Sequence, residues 1–274
     1  MKSYIHVFVV LVIAIVISFE AAACQPVPGG ATKKELIEAC EKGDLEKVKS
    51  ILSKSPELVN AKHVRLEVDE SGKDRITFNR ELTPLIAAII ADKQFVVEYL
   101  LSKGADANIT VRLLYNEKVN GKPQRGVVPA EQIMGPLQVA ASNGQAEICI
   151  VLIGGGAQVN AVMSPEKVSA LQLALMSVKM QEFNKEIFPN SDGLKTVRLL
   201  VDEGADLNVR QSESGNSLLH SLVLSEEMDA ALILIKGGAD LNARNNDGLT
   251  PLGMAKKYKK NKMAAFLKKH GAKE

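Results

Sequence analysis

The sequence predicts an all-α repeat solenoid from which two elongated β-hairpin fingers project, and three observations lead to that reading. Short apolar segments open with similar triplets at Thr83-Pro84-Leu85, Gly135-Pro136-Leu137, Ser169-Ala170-Leu171, Ser217-Leu218-Leu219 and Thr250-Pro251-Leu252, spaced 52, 34, 48 and 33 residues apart. Glycine-led turns close the units at Gly104, Gly156, Gly204, Gly238 and Gly271, spaced 52, 48, 34 and 33. Two independent markers therefore share a period of about 33 residues, interrupted by insertions. In two of the insertions the apolar spacing changes from helical to alternating, which is the pattern of strands. Repetition has a physical cause: one helix pair cannot bury its apolar face alone, so neighbours stack and share a core.

Composition fits this architecture. Of 274 residues 46% are hydrophobic, Trp is absent and aromatics make up only 4%, which suits small aliphatic side chains between closely stacked helices. A net charge of +2 is too weak to imply a nucleic-acid partner. The three cysteines, Cys24, Cys40 and Cys149, form no CxxC pair and no zinc set.

Residues 1–23 read as a signal peptide. Lys2 supplies positive charge, Ile5 to Phe19 is almost wholly apolar, and Ala21-Ala22-Ala23 is a small-residue cleavage site. The rival, a transmembrane anchor, is poorly served by an apolar run that ends at Glu20, short of the roughly 20 residues a bilayer requires. Residues 24–31 form a tether through Pro26-Val27-Pro28-Gly29-Gly30. Residues 32–274 are the repeat domain.

Within it, residues 32–62 make an amino-terminal capping unit, with Leu36, Ile37, Ala39 and Cys40 on one stripe and Val48, Ile51 and Leu52 on the next. Lys33, Lys34, Glu38, Glu41, Lys42, Lys47 and Lys49 supply its wet face. In the first insertion Val64, Leu66, Val68, Ile76 and Phe78 alternate about Glu70-Ser71-Gly72-Lys73. A turn centred on Gly72 sets Val68 across from Ile76, Leu66 from Phe78, Glu67 from Thr77 and Asp69 from Arg75. The second unit runs from Thr83 to Asn108. The second insertion, Val111 to Val128, holds Asn120-Gly121, a strong hairpin signal, between Leu113 and Tyr115 on one side and Val127 and Val128 on the other. Further units are Gly135–Asn160, Ser169–Asn208 (with Met180 to Asp192 inserted between its helices) and Ser217–Asn242. The chain ends in Thr250–Glu274, a cap with eight lysines between 256 and 273. They keep the cap soluble or, alternatively, meet anionic lipid headgroups or an acidic partner.

Ser217-Leu218-Leu219-His220, the helix around Ala230 to Ile235 and Gly238-Ala239-Asp240-Leu241-Asn242 together resemble the ankyrin repeat. The resemblance implies about six stacked turn–helix–helix units, caps included, and a concave binding face lined by fingers and first helices. It also implies that His220 bonds within the turns. Ala21-Ala22-Ala23-Cys24 resembles a bacterial lipobox with Ala21 in place of the usual Leu. That implies lipidation of Cys24, and Gln25 after it favours the outer membrane; ordinary signal-peptidase cleavage at the same bond is the alternative.

Catalytic chemistry finds no support. No Ser/His/Asp or Cys/His order emerges, and Gly154-Gly155-Gly156 follows a helix and lacks the Lys-Ser/Thr of a phosphate loop. Asp106, Asp206 and Asp240 read as turn formers rather than metal ligands. Cys40 and Cys149, two repeats apart, read as buried free thiols, because helices stacked about 8–10 Å apart hold them beyond the disulfide limit of about 7 Å. No cofactor is expected.

The expectation is a non-enzymatic protein-binding module exported to the periplasm, monomeric when free, with Arg65, Arg75, Phe78, Arg112, Tyr115 and Arg125 of the fingers as its contacts. Arg and aromatic residues are the usual interface hot spots. Signal, Cys24 and repeats together resemble the ankyrin-containing lipoproteins that serve as immunity partners of secreted toxins, notably phospholipases delivered by type VI secretion. A periplasmic accessory protein supporting catalase or peroxidase, and a structural envelope scaffold, are the alternatives.

Overall fold

The computed structural model describes residues 32–69, 76–116, 118–119, 122–123, 130–163, 167–179 and 189–273. Its helices follow one another two by two along the chain: α1 (Lys33–Lys42) and α2 (Leu45–Lys54), α3 (Pro84–Ile90) and α4 (Gln94–Ser102), α5 (Pro136–Ser142) and α6 (Ala146–Gly154). There follow α7 (Ala170–Lys179) with α8 (Gly193–Asp202), α9 (Leu218–Val223) with α10 (Met228–Lys236), and α11 (Pro251–Lys257) with α12 (Asn261–Lys269). The chain divides into two compact units. Among the described residues, one comprises those within 32–139, 154–157 and 163, the other those within 140–153, 158–162 and 167–273.

Local chemistry explains where the helices start. Thr32 opens α1 with a reciprocal capping box: its hydroxyl accepts from the Glu35 N–H at 3.2 Å, and the Glu35 carboxylate accepts from the Thr32 N–H at 2.8 Å. The first residue of every opening triplet immediately precedes a helix. Thr83 accepts from the Ile86 N–H and Thr250 from the Gly253 N–H. Ser169 and Gln172 exchange reciprocal bonds at the head of α7. The apolar stripes then pack. α1 buries Leu36, Ile37, Ala39 and Cys40, and α2 buries Val48, Ile51 and Leu52. Each fully buried Leu or Ile contributes about 1.5–3 kcal/mol.

The closing turns are equally regular. Gly104, Gly156, Gly204, Gly238 and Gly271 all have φ between 81° and 96°, the left-handed conformation that L side chains resist. No neighbouring atom lies within 4 Å of where a Cβ would stand at these five positions, so the backbone angle rather than crowding selects glycine. Beside them Asp106, Asp206 and Asp240 accept from the N–H two residues on, at 2.8, 2.8 and 2.9 Å. These aspartates are turn formers, as their sequence context indicates. A feature absent from the sequence reading links successive turns. In the first unit Asn60 donates to the Gly104 carbonyl and accepts from the Asp106 N–H, and Asn108 donates to the Gly156 carbonyl. In the second unit Asn160 does the same with Gly204 and Asp206.

The first two insertions build strands β1 (His63–Asp69), β2 (Ile76–Leu82), β3 (Val111–Asn116), β4 (Lys118–Val119), β5 (Lys122–Pro123) and β6 (Ala130–Met134); β7 (Val162–Met163) and β8 (Val168–Ser169) pair separately. β1, β2, β3 and β6 form one antiparallel sheet in that order. The short β4 and β5 pair on either side of Asn120-Gly121, with Val119 opposite Lys122.

The β1–β2 register corrects the sequence expectation by one residue. Val68 pairs with Thr77, Glu67 with Phe78, Leu66 with Asn79 and Asp69 with Ile76. The base of the ladder decides this. Leu82 is fully buried and lies opposite half-buried His63. The expected register would have set it opposite exposed Lys62, and directly paired residues share a face. A buried anchor outweighs the symmetry of a turn.

Candidate functional site

The sheet is held at its root. Leu82 of β2, Val111 of β3 and Met134 of β6 are 0%, 1% and 1% exposed, so three of its four strands leave from the core rather than from surface loops. The residues just beyond the root are wet: Val64 is 58% exposed, and Arg112 is exposed. Glu81 ties this margin together. Its carboxylate accepts from the Arg112 N–H at 3.2 Å and lies 3.5 Å from the Lys62 ammonium. The carboxylate thus engages the Arg112 N–H one position beyond the last β2–β3 pair, Arg80 with Leu113.

Four of the sequence-predicted contact residues enter one four-stranded sheet. Phe78 pairs directly with Tyr115 across β2 and β3, although one comes from each insertion, and Arg112 pairs with Ile133 across β3 and β6. Arg65 lies in β1 opposite Arg80. Arg75 and Arg125 lie outside the described residues, as does Cys24. The pairing of β2 with β3 is what sequence reasoning missed. Each insertion advertises its own alternation and its own turn, but nothing local marks pairing between strands about 30 residues apart.

His220 has a structural post. It is fully buried; its Nδ1 accepts from the Ser217 N–H at 3.2 Å and stands 2.8 Å from the Ser217 hydroxyl, while Nε2 lies 2.9 Å from the Leu249 carbonyl oxygen. A neutral imidazole with its proton on Nε2 satisfies all three, joining one helix head to the following turn. Burial pushes its pKa below the ordinary value. The Leu249 carbonyl opposes that shift and the Arg210 charge adds to it. Cys40 and Cys149 are buried free thiols. Burial, with a smaller contribution from Glu41, pushes Cys40 up to about 12, and burial raises Cys149 as well. Neither is a nucleophile near neutral pH. Among the described residues no group of three or more His, Cys, Asp or Glu could hold a metal ion, and no helix is long and apolar enough to cross a membrane.

The family comparison meets these turns and helix heads directly. A family model for three copies of ankyrin repeats matches residues 190–274, and a single ankyrin-repeat model matches residues 80–112. The chain contains ankyrin repeats. A nuclear factor NF-kappa-B subunit of Gallus gallus is 29% identical over 191 residues, 69% of this chain but only 16% of that protein. The Notch protein of Drosophila melanogaster is 34% identical over 111 residues, 40% of this chain and 4% of its own length. The chain thus spans under a fifth of either relative.

Among solved structures, the ankyrin repeat domain of Bcl-3, an IkappaB-family protein, superposes with a TM-score of 0.61 at 20% identity, covering 90% of this chain and 89% of that one. An ankyrin repeat domain from Acinetobacter baumannii gives 0.61 at 22%, covering 88% and 100%. A chain in the complex of a predatory endopeptidase of Bdellovibrio bacteriovorus with an immunity protein gives 0.54 at 24%, covering 88% and 99%. Likeness at these identities shows the ankyrin fold. Ankyrin repeats are protein-binding modules. In this chain the first two insertions supply the four strands of one antiparallel sheet.

Proposed function

We propose that this ankyrin protein is a non-enzymatic inhibitor in the bacterial envelope, an immunity protein that binds a toxic secreted hydrolase through the two fingers of its first insertions. The observation that carries the reading is the pairing of β2 with β3 on a root of buried Leu82, Val111 and Met134. That pairing makes two fingers into one preformed surface. A surface ordered before binding loses little conformational freedom on association, and strands with paired backbones can fill a cleft without exposing unsatisfied amides. Arg65, Phe78, Arg112 and Tyr115 sit in its strands and are the proposed contacts, with Arg75 and Arg125 of the same insertions. The presence of an immunity protein in one of the superposed complexes supports the inhibitor reading. The apolar segment at Ile5–Phe19 and the lipobox-like Ala21-Ala22-Ala23-Cys24 support export and anchoring through Cys24.

The test is affinity capture from the native envelope with tagged full-length chain, beside a form with both insertions cut to short turns. Capture of a hydrolase by the long form alone, with loss of that hydrolase's activity on binding, supports the proposal; a phospholipase and an endopeptidase are the two classes to assay. Equal capture by both forms would remove the fingers from the mechanism. Recovery of catalase, peroxidase or scaffold components with undiminished activity would replace inhibition by an accessory role.

A further inference from the structure

A different part of the molecule carries a charge distribution that the protein-binding reading does not use. From Pro251 to Lys273 the chain has eight lysines and neither Arg, Asp nor Glu, whereas residues 201–250 hold nine Asp and Glu against three Lys and Arg. The lysines flank a rigid support. α11 buries Pro251, Leu252, Met254 and Ala255, and α12 buries Met263 and Leu267. Lys260 lies 3.6 Å from Glu226, but Lys257, Lys259, Lys262, Lys269 and Lys273 are exposed. Lys262 and Lys269 are seven residues apart on α12 and share its wet side. Among the lysines of the α11–α12 turn, Tyr258 is 46% exposed, with the Lys257 ammonium 5.8 Å from its ring centre.

We propose that this carboxy-terminal cap is a docking surface for anionic phospholipid, holding the ankyrin array against the headgroups of a membrane. The chemistry favours lipid over an acidic protein for three reasons. Protein interfaces select Arg, which grips carboxylates two-pronged, and deplete Lys; here the basic residues are all Lys. A compact, well-hydrated ammonium on a flexible stem suits a fluid field of phosphates better than a fixed partner. A half-exposed Tyr among lysines matches the amphipathic interface between water and acyl chains, where aromatic rings with a polar tip concentrate. The surface works independently of which protein the fingers bind.

Vesicle co-sedimentation of the full-length chain tests this. Vesicles of phosphatidylcholine alone are compared with vesicles carrying about 30 mol% phosphatidylglycerol, a content that gives a strongly negative surface. The apolar amino-terminal segment contributes to both, so the ratio of the two partition constants isolates the charge term. Each engaged lysine multiplies binding by about fivefold. The combined variant Lys257→Gln, Lys262→Gln, Lys269→Gln, Lys273→Gln is therefore expected to reduce the anionic preference by at least about a hundredfold. The matching Lys→Arg variant keeps it, and about 0.5 M salt abolishes it in the wild type through screening. Circular dichroism checks that both variants retain the wild-type fold. A wild-type ratio near one overturns the proposal, as does a Gln variant that keeps the preference. Binding to poly-glutamate without binding to anionic vesicles also overturns it, and assigns the cap to an acidic protein.

Discussion

Replacing His220 with Ala tests whether one buried imidazole holds the fifth and last helix pairs together. The side chain is fully buried and meets Ser217 and the carbonyl of Leu249, 29 residues away. Truncation removes at least two hydrogen bonds, each worth about 1 kcal/mol net, while the Leu249 carbonyl keeps its bond from the Asn245 N–H at 3.0 Å. The cavity left by a fully buried ring adds about 2 kcal/mol. Together these give about 4 kcal/mol, and with a urea slope of about 2 kcal/mol per molar the midpoint falls by about 2 M. The pH dependence supplies a second reading. The folded-state pKa lies below the unfolded one, which is about 6.5. Unfolding therefore takes up a proton in the window between the two values. The stabilisation is complete above about pH 6.5 and drains away as the pH falls through that value toward the folded pKa. Urea titrations monitored at the helical circular dichroism band, run at neutral and mildly acid pH, measure both. The wild type should lose stability on acidification more steeply than His220→Ala. A midpoint shift corresponding to less than about 1 kcal/mol, or identical pH slopes in the two proteins, refutes the reasoning.

Other perturbations follow from the same geometry. Asn160→Ala removes the bonds to Gly204 and Asp206. Because these groups are wet, the cost should be about 1–2 kcal/mol in a urea titration, larger than for an exposed Asn outside a turn. Gly238→Ala at φ 96° has room for its methyl but not the backbone angle, so a loss of about 1–2 kcal/mol is expected from strain alone. Cys40 and Cys149 should resist a thiol reagent in the native protein and react together once urea unfolds it; fast native labelling would contradict their burial. Glu81→Ala removes the carboxylate that accepts from the Arg112 N–H and neighbours the Lys62 ammonium. Amide exchange at Arg112 should quicken while global stability changes by about 1 kcal/mol or less, since the sheet keeps its buried root.

Much of the repeat architecture was legible because its signals are local. A Gly at φ near 90°, an Asp two residues later and a Thr or Ser three residues ahead of an unsatisfied N–H are each dictated within a few positions of sequence. Phase then multiplied weak signals into a strong one. The sheet was only half legible for the converse reason. Alternation marked Val64 to Val68 and Ile76 to Phe78 as strands, but register depends on what is buried at the root. That is settled by Leu82 docking in a core made of distant residues. The pairing of Phe78 with Tyr115 depends on two insertions leaving neighbouring turns side by side, which no spacing within either insertion encodes.

The division between in-phase and out-of-phase residues also says where recognition belongs. Polar residues in the turns and helix heads of the repeats are engaged by the fold itself: Asp106 by the Asn108 N–H, Asn160 by Gly204 and Asp206, His220 by Ser217 and Leu249. Recruiting any of them to a partner would cost the bonds that hold one turn to the next. Insertions carry no such obligation. The sheet of residues 63–69, 76–82, 111–116 and 130–134 repeats nowhere else among the described residues, yet three of its strands are rooted in buried side chains. A segment that the solenoid does not need, but which is anchored by three buried side chains, is ordered without being committed to stability. Its sequence can therefore change to suit a partner while the array beneath stays folded.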